Sequence, residues 1–247
     1  MPKKQYLCAM DSLELHIIAH AHNGFTDKFG IPRQPQSLSH IETRIVFTPP
    51  FRVREALRGI EGFSHLWLIW GFSKNANLPS GSTVKGEKVQ WSPTVRPPRL
   101  GGNKRMGVFA TRSPFRPNPI GLSSVRLLRI EETEKAGIIL VVAGADMLDG
   151  TPIYDIKPYL SYSDAHPGAH NGFAENTKDY HLPVIWEIGV AEALPEKDRL
   201  AIQEILTHDP RPAYQHDPDR IYKMDFDGYQ LQFVVQNNLL RVIKAKK

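Results

Sequence analysis

The stretch "MGVFATRSPFRPNPIGLSSVRLLRI", Met106 to Ile130, sets two apolar runs on either side of a stiff, basic connection. Met106–Thr111 and Gly121–Ile130 have the length and composition of strands. Between them lie Pro114, Pro117 and Pro119. Each proline fixes φ, removes a backbone donor and drives the residue before it towards extended conformations. Arg112 stands at the mouth of the first strand, Arg116 inside the loop, and Asn118 between two prolines. A preordered loop lowers the entropy lost when a ligand is held. The plain alternative is a rigid surface connection whose arginines are solvated.

Outward from this unit, Leu13–His22, Glu42–Phe47, Ser64–Phe72, Gly137–Gly144 and the shorter Pro152–Ile156 also read as strands. Pro50–Phe63 reads as a short helix, with Val53, Leu57 and Ile60 near helical spacing. Many short strands with little helix imply a mainly β protein, a barrel or a sandwich. The strand–helix alternation of a doubly wound nucleotide fold is absent, and no G-x-G-x-x-G follows a strand. Residues 163–181 are polar and rich in Gly, His and Asn, which reads as a linker or long loop after a first domain at 1–162. A small α+β domain is expected at 182–247, with a strand at "PVIWEIGV", a helix at Pro195–Thr207 and two hairpins around "DGY" and "QNN".

The net charge of +5 is modest, but no Asp or Glu occurs from Lys88 to Ile130, where Lys88, Arg96, Arg99, Lys104, Arg105, Arg112, Arg116, Arg126 and Arg129 gather. That is a candidate footprint for a polyanion, or else a solvated basic surface balanced by acids elsewhere in the fold. The single Cys8 can form no internal disulfide and suits a reducing cytoplasm. No apolar run is long enough for a membrane helix, and the N-terminal stretch lacks a signal-peptide core. His20 with His22, and His166 with His170, lack a third ligand at metal spacing, so no metal is expected. Asp149, in an Asp-Gly turn, reads as structural, whereas Asp146 at a strand end is the better partner for a ligand amine or hydroxyl. In "DPRPAY", Asp209–Tyr214, the plain role is to end the helix and turn the chain. The functional alternative is phosphate contact by Arg211 with base stacking by Tyr214.

Five segments together resemble the TsaA-like (YaeB/TrmO-type) β-barrel family of S-adenosylmethionine-dependent tRNA methyltransferases. They are "KFGIPRQP" (Lys28–Pro35), "ALRGIEGFSHLWLIWGF" (Ala56–Phe72), "TVRPPRLGGNKRMGVFATRSPFRPNPIGLS" (Thr94–Ser123), "DGTPIYDIKPYL" (Asp149–Leu160) and "DPRPAY". The resemblance implies an N-terminal antiparallel β-barrel that binds the cofactor without a Rossmann fold, a C-terminal domain that assists tRNA binding, and a cytoplasmic homodimer. The implied reaction is N6-methylation of N6-threonylcarbamoyladenosine (t6A) at position 37 of threonine tRNA. The cofactor contacts it implies are Pro35, Gln36, Ser73, Lys74, Arg112, Leu122, Gly144, Ala145 and Asp146, several of them through backbone atoms. For the tRNA anticodon loop it implies Asp209, Arg211 and Tyr214, with Arg116 facing the RNA. The chain departs from the family at "AHNGF" (Ala21–Phe25), where His22 stands in place of a common arginine.

For such a reaction the leaving group is already good, and positioning the acceptor in line is the main task. The acceptor nitrogen is ureido-like and must shed a proton, so a base would help by about 10²–10⁴-fold. Asp146, Asp155 and Tyr159 are in range by motif, and the residues do not single one out. A carboxylate on the substrate could be clamped by Arg33, Arg99 or Arg116. A non-catalytic tRNA-binding module is the alternative function.

Overall fold

The structure, a computed structural model, describes residues 13–32, 38–72, 91–97, 100, 104–177, 179–211, 215 and 217–247. The strands of its N-terminal part are β1 (Ala19–His22), β2 (Glu42–Phe47), β3 (His65–Gly71), β4 (Thr94–Val95), β5 (Met106–Gly107), β6 (Ile120–Thr133), β7 (Gly137–Ala143) and β8 (Thr151–Pro158). Six of them pair in the order β1-β2-β7-β6-β3-β8, each antiparallel to the next, and β8 returns to β1 to close a barrel. Closure leaves no free edge, which removes the usual hazard of a small sheet. β4 and β5 form a separate two-stranded ribbon.

Alternation along the strands decides which side chains fill the barrel. Ala19 and Ala21, Ile45 and Phe47, Leu66, Leu68 and Trp70, Leu140 and Val142, Val125 and Ile153 all point into one core. Every one of them is at most 6% exposed. β7 is buried on both faces, since Ile138–Ala143 are all buried, and it accordingly reads as a continuous apolar run. A register shift between Leu127 and Arg129 bends β6, and beyond it β6 and β7 continue as a hairpin.

Several expected elements differ in extent. The expected strand Met106–Thr111 is only β5, because Val108–Ala110 turns as a 3-10 helix before the proline loop. The expected helix Pro50–Phe63 is three 3-10 turns, Pro49–Phe51, Arg54–Leu57 and Ile60–Gly62. Gly59 at φ +86° breaks the run before an α-helix can propagate. The first strand is confined to Ala19–His22, and Leu13, Leu15 and Ile17 ahead of it are exposed. The polar 163–181 region carries a 3-10 helix at Gly172–Thr177 and follows a one-turn α-helix, α1 (Ser161–Asp164).

The C-terminal part is β9 (Val184–Trp186), α2 (Glu196–Thr207), β10 (Tyr222–Phe226), β11 (Tyr229–Gln236) and β12 (Leu239–Lys246). These form a sheet in the order β10-β11-β12-β9, with β9 parallel to β12 and the others antiparallel. Both expected hairpins are present. Their two-residue turns, Asp227-Gly228 and Asn237-Asn238, have φ of +49°, +80°, +50° and +58°, the positive values that a twisted hairpin requires. α2 buries Ala201, Ile202, Ile205 and Leu206 against this sheet.

This second core also takes Phe25, Leu38 and Ile41, which come from the connection between β1 and β2. Gly24 lies so close to β10 and its turn that a Cβ would meet Asp227 Cβ at 2.9 Å, and a Cβ on Gly30 would meet Met224 Sδ at 2.9 Å. Glu204 of α2 accepts from the Ser39 N–H at 2.7 Å, the Ser39 hydroxyl at 2.8 Å and the His40 N–H at 2.9 Å. The β1–β2 connection is therefore gripped by the C-terminal sheet on one side and by α2 on the other. No helix among the described residues is long and apolar enough to cross a membrane.

Candidate active site at one mouth of the barrel

Antiparallel order places the C-terminal ends of β1, β3 and β7 beside the N-terminal ends of β2, β6 and β8. The register shows this directly, since His22 lies opposite Arg44, Gly71 opposite Ile120, Glu42 opposite Ala143, and Ala21 opposite Thr151. Four chain segments thus meet one mouth: the β1–β2 connection, the exit from β3, the proline loop entering β6, and the β7–β8 connection. All the cofactor residues implied by resemblance lie on these four segments, which are far apart in sequence. Pro35, Gln36, Ser73 and Lys74 lie outside the described residues, as do Arg33, Arg99 and Tyr214.

The β7–β8 connection starts at Gly144, whose φ of +89° is a conformation that L side chains adopt at a cost of about 1–2 kcal/mol. This turn buries Ala145 in the barrel core and brings Asp146 over the mouth. Ser123 of β6 is fully buried and donates its hydroxyl to Asp146 Oδ1 at 2.5 Å. Trp70 of β3 donates its indole Nε1–H to the same Ser123 oxygen at 2.9 Å. Burial pushes the Asp146 carboxyl above the usual carboxylate range. The Ser123 hydroxyl, the residue's own backbone N–H and the charge of Arg112 pull the other way. Arg112, in the proline loop, is exposed yet close enough for its charge to act on Asp146.

The mouth is held by short-range staples. Asn23 donates to the Met147 carbonyl at 3.0 Å and to Thr43 Oγ1 at 3.3 Å, while its own side-chain oxygen accepts from the Phe25 N–H at 2.9 Å. Asp149 accepts from the Asn23 N–H at 3.2 Å and stands 3.2 Å from His22 Nδ1. Gly150 follows at φ +76°, so Asp149 has the structural turn role expected of it. His22, at the tip of β1, is tied to Asp149 and remains exposed at the mouth.

Other candidates are placed differently. Arg116 is half-buried and donates from Nη1 to the Thr111 carbonyl at 3.1 Å, so part of its guanidinium braces the loop that carries it. The Leu122 side chain points to the outer face of β6, 56% exposed, opposite to neighbouring Ser123. Arg129 is drawn into a surface network, bidentate to Glu42 at 3.0 and 2.9 Å and bonded to Glu131 at 2.8 Å. That pairing holds the Glu42 carboxyl below the usual range. Asp155 lies opposite Ile69 on the outer face, paired with Lys157 at 2.8 Å. Tyr159 stacks near Trp67 and His65 and donates its backbone N–H to the His65 carbonyl, at the far end of the barrel from Asp146. Of the three acids and phenols in range by motif, only Asp146 stands at the mouth.

In the "DPRPAY" stretch, Arg211 closes a bidentate pair on Asp209, with Nε at 2.8 Å and Nη2 at 3.0 Å. Their side chains are only 9% and 11% exposed. Tyr180 donates its hydroxyl to Asp209 at 3.1 Å, and the Arg211 guanidinium lies 5.7 Å from the Tyr222 ring centre. Burial works against the charge of Arg211, but the Asp209 bonds outweigh it and raise its pKa. A cavity of about 370 Å³ opens beside this pair, lined by Lys28, Phe29, Ile31, Ile205, His208 and Asp209, on the seam between the β1–β2 connection and α2.

Ser123 and Trp70 were not among the residues expected to serve the site. One signal in the sequence points to them: Gly121, Ser123 and Val125 share the inward face of β6, and a serine on such a face must find a partner.

Residues 20–165 match the family described as tRNA-methyltransferase O N-terminal domain, and residues 180–247 match its C-terminal domain family. The chain is similar to a tRNA (adenine(37)-N6)-methyltransferase of Eikenella corrodens, 47% identical over 72% of this chain and 93% of that protein. It is also similar to a putative S-adenosylmethionine-dependent methyltransferase of Pseudomonas aeruginosa, 42% identical over 83% of this chain and 85% of that protein. Among solved structures, a crystal structure of TrmO superposes with a TM-score of 0.74 at 32% identity, covering 96% of this chain and all of that one.

Proposed function

The chain belongs to the tRNA-methyltransferase O family, and from that premise we propose that it methylates N6 of adenosine 37 in a tRNA, with S-adenosylmethionine as donor. The observation that carries this reading furthest is the meeting of Arg112 and Asp146 at one barrel mouth, from segments more than thirty residues apart in the sequence. When bound, S-adenosylmethionine supplies an electrophilic methyl group on a sulfonium. The donor set fits it: Asp146 can accept from a nucleoside hydroxyl or amine, and Gly144 and Ala145 present backbone groups beside it. The Ser123 hydroxyl donates to one oxygen of that carboxylate. The prolines stiffen the loop that carries Arg112, whose charge acts on that carboxylate, so little ordering entropy is lost on binding.

The finer substrate in this reading is N6-threonylcarbamoyladenosine in threonine tRNA, giving the N6-methyl product. Its carboxylate needs a cation, and Arg112 and Arg116 are the described arginines of the proline loop. The proton leaving N6 needs an acceptor, and of Asp146, Asp155 and Tyr159 only Asp146 stands at the mouth. The 1–162 barrel domain would carry cofactor and catalysis, and the 182–247 domain would carry tRNA. Tyr214, Asp209 and Arg211 serve that face, the last two by holding its shape. A homodimer would cover the exposed Phe109, Phe115, Ile120 and Leu122 around the mouth.

Incubation with labelled S-adenosylmethionine and tRNA, prepared with and without the threonylcarbamoyl group, tests the reading. Label is expected only in the modified tRNA. Equal label in both overturns the substrate, and binding of tRNA with no label in either leaves the non-catalytic module.

A further inference from the structure

We propose that Ser123 is the positioning residue of this site, holding Asp146 in its ligand-binding orientation from inside the barrel. The inference rests on the reading above for the identity of the ligand, a nucleoside sulfonium, but not for the relay itself.

Three observations build the relay. The Trp70 indole is a donor only, and it spends its one N–H on Ser123 Oγ at 2.9 Å. An ionised carboxylate is an acceptor only, so the Ser123 hydroxyl proton must lie on Asp146 Oδ1. Trp70 fixes the Ser123 hydroxyl against rotation, and Ser123 in turn fixes the carboxylate. The indole reaches Ser123 because the residue across from it is glycine. A Cβ at Gly121 would come within 2.2 Å of the Trp70 ring. Phe72 closes the other side of the indole, with ring centres 4.4 Å apart. Gly121, Trp70 and Ser123 are thus one device, built on two adjacent strands and aimed at a third segment.

The device has a reason in electrostatics. Asp146 is pushed towards its neutral form by burial, and three described groups act against that push. From β6 comes the Ser123 hydroxyl, from the proline loop the Arg112 charge, and from its own segment a backbone N–H. Removing Ser123 takes away the largest of the influences that favour the charged form. Asp146 would then be both free to turn and neutral over more of the pH range, and a carboxylic acid is a poorer acceptor for a cofactor hydroxyl or amine.

The test uses the full chain without tRNA. Carbon-detected NMR titration of the Asp146 carboxyl is compared in wild type, Ser123→Ala and Ser123→Thr, alongside S-adenosylmethionine affinity by calorimetry across pH. Ser123→Ala is expected to move the carboxyl midpoint upwards and to weaken cofactor binding about tenfold near neutral pH. Ser123→Thr, which keeps the hydroxyl, should recover most of both. In an Asp146→Asn background the same Ser123→Ala change should add less than about twofold, since the two residues act as one unit. Trp70→Phe keeps an aromatic side chain but loses the N–H together with the five-membered ring of the indole, so if Ser123→Ala folds poorly it gives a shift of the carboxyl midpoint in the same direction with a smaller size. An unmoved midpoint, or an equal loss in both Asp146 backgrounds, overturns the proposal. A wild type that binds no S-adenosylmethionine overturns the functional reading instead, and the titration still decides the relay.

Discussion

Asp146 and Asp209 are both aspartates within the reach of an arginine, and their surroundings differ in what they leave available. Arg211 spends two N–H groups on Asp209, Tyr180 adds a third bond, and the pair is almost closed to solvent. Among the described residues, Asp146 takes a bond from Ser123 and one from its own backbone N–H, feels the charge of Arg112, and is pushed towards its neutral form by burial. A carboxylate satisfied from every side holds a loop together. One that is oriented but under-compensated has capacity left for a ligand.

The largest effect is expected from Arg211→Ala. It strands Asp209 without its counter-charge in a nearly closed site and should destabilise the fold by about 3–5 kcal/mol in chemical denaturation. If stability is unchanged while tRNA affinity drops, the pair is a phosphate clamp and the contrast fails. Next comes Asp146→Asn, expected to weaken S-adenosylmethionine binding about a hundredfold, or roughly 2.7 kcal/mol. The same substitution should raise Tm at neutral pH. Because the folded-state pKa of Asp146 is raised, its favourable contribution is present in the acid range and is lost as pH rises from the unfolded value through the folded one. The gain in Tm should therefore vanish in acid, where the aspartate is protonated in both states. For the same reason cofactor binding by the wild type should fall on acidification at a higher pH than an ordinary Asp, about 3.9, would dictate.

A smaller loss is expected for Glu204→Ala. It leaves the Ser39 and His40 N–H groups without their partner and should cost about 1–2 kcal/mol of stability. If Pro35 and Gln36, in the connection it anchors, serve the cofactor as the resemblance implies, cofactor binding should also weaken several-fold. Stability loss with unchanged cofactor affinity would confine Glu204 to a structural role like that of Arg211. The smallest effect is expected for Gly144→Ala, about 1 kcal/mol by thermal unfolding, from forcing a side chain into φ +89°. A change in cofactor affinity beyond that loss would show that the angle of entry of Asp146 matters as well.

Much of this molecule is legible along the chain. The alternating inward residues of β2, β3 and the first half of β6 and the unbroken apolar run of β7 mark barrel strands. Asp227-Gly228 and Asn237-Asn238 mark both hairpins. The expected helix at Pro50–Phe63 failed because spacing records which side chains lie together, not whether Gly59 allows the hydrogen bonds to propagate. For Arg211 the sequence leaves two roles open, turning the chain after the helix or contacting a phosphate. Nothing local reveals that Asp209, at φ +48°, turns the chain so that the two side chains close on each other.

Local order thus determined the strands, the turns, the stiff loop and the family, because φ restriction, alternation and motif spacing act over a few residues. Tertiary structure alone decided that four distant segments share one mouth, since that follows from the pairing order β1-β2-β7-β6-β3-β8. It alone gave the β1–β2 connection to the second core rather than the first. Above all, it separated one aspartate from the other. Whether a carboxylate is satisfied depends on every donor that packing brings within about 3 Å, and Ser123 for Asp146 and Tyr180 for Asp209 come from parts of the chain that no short window contains.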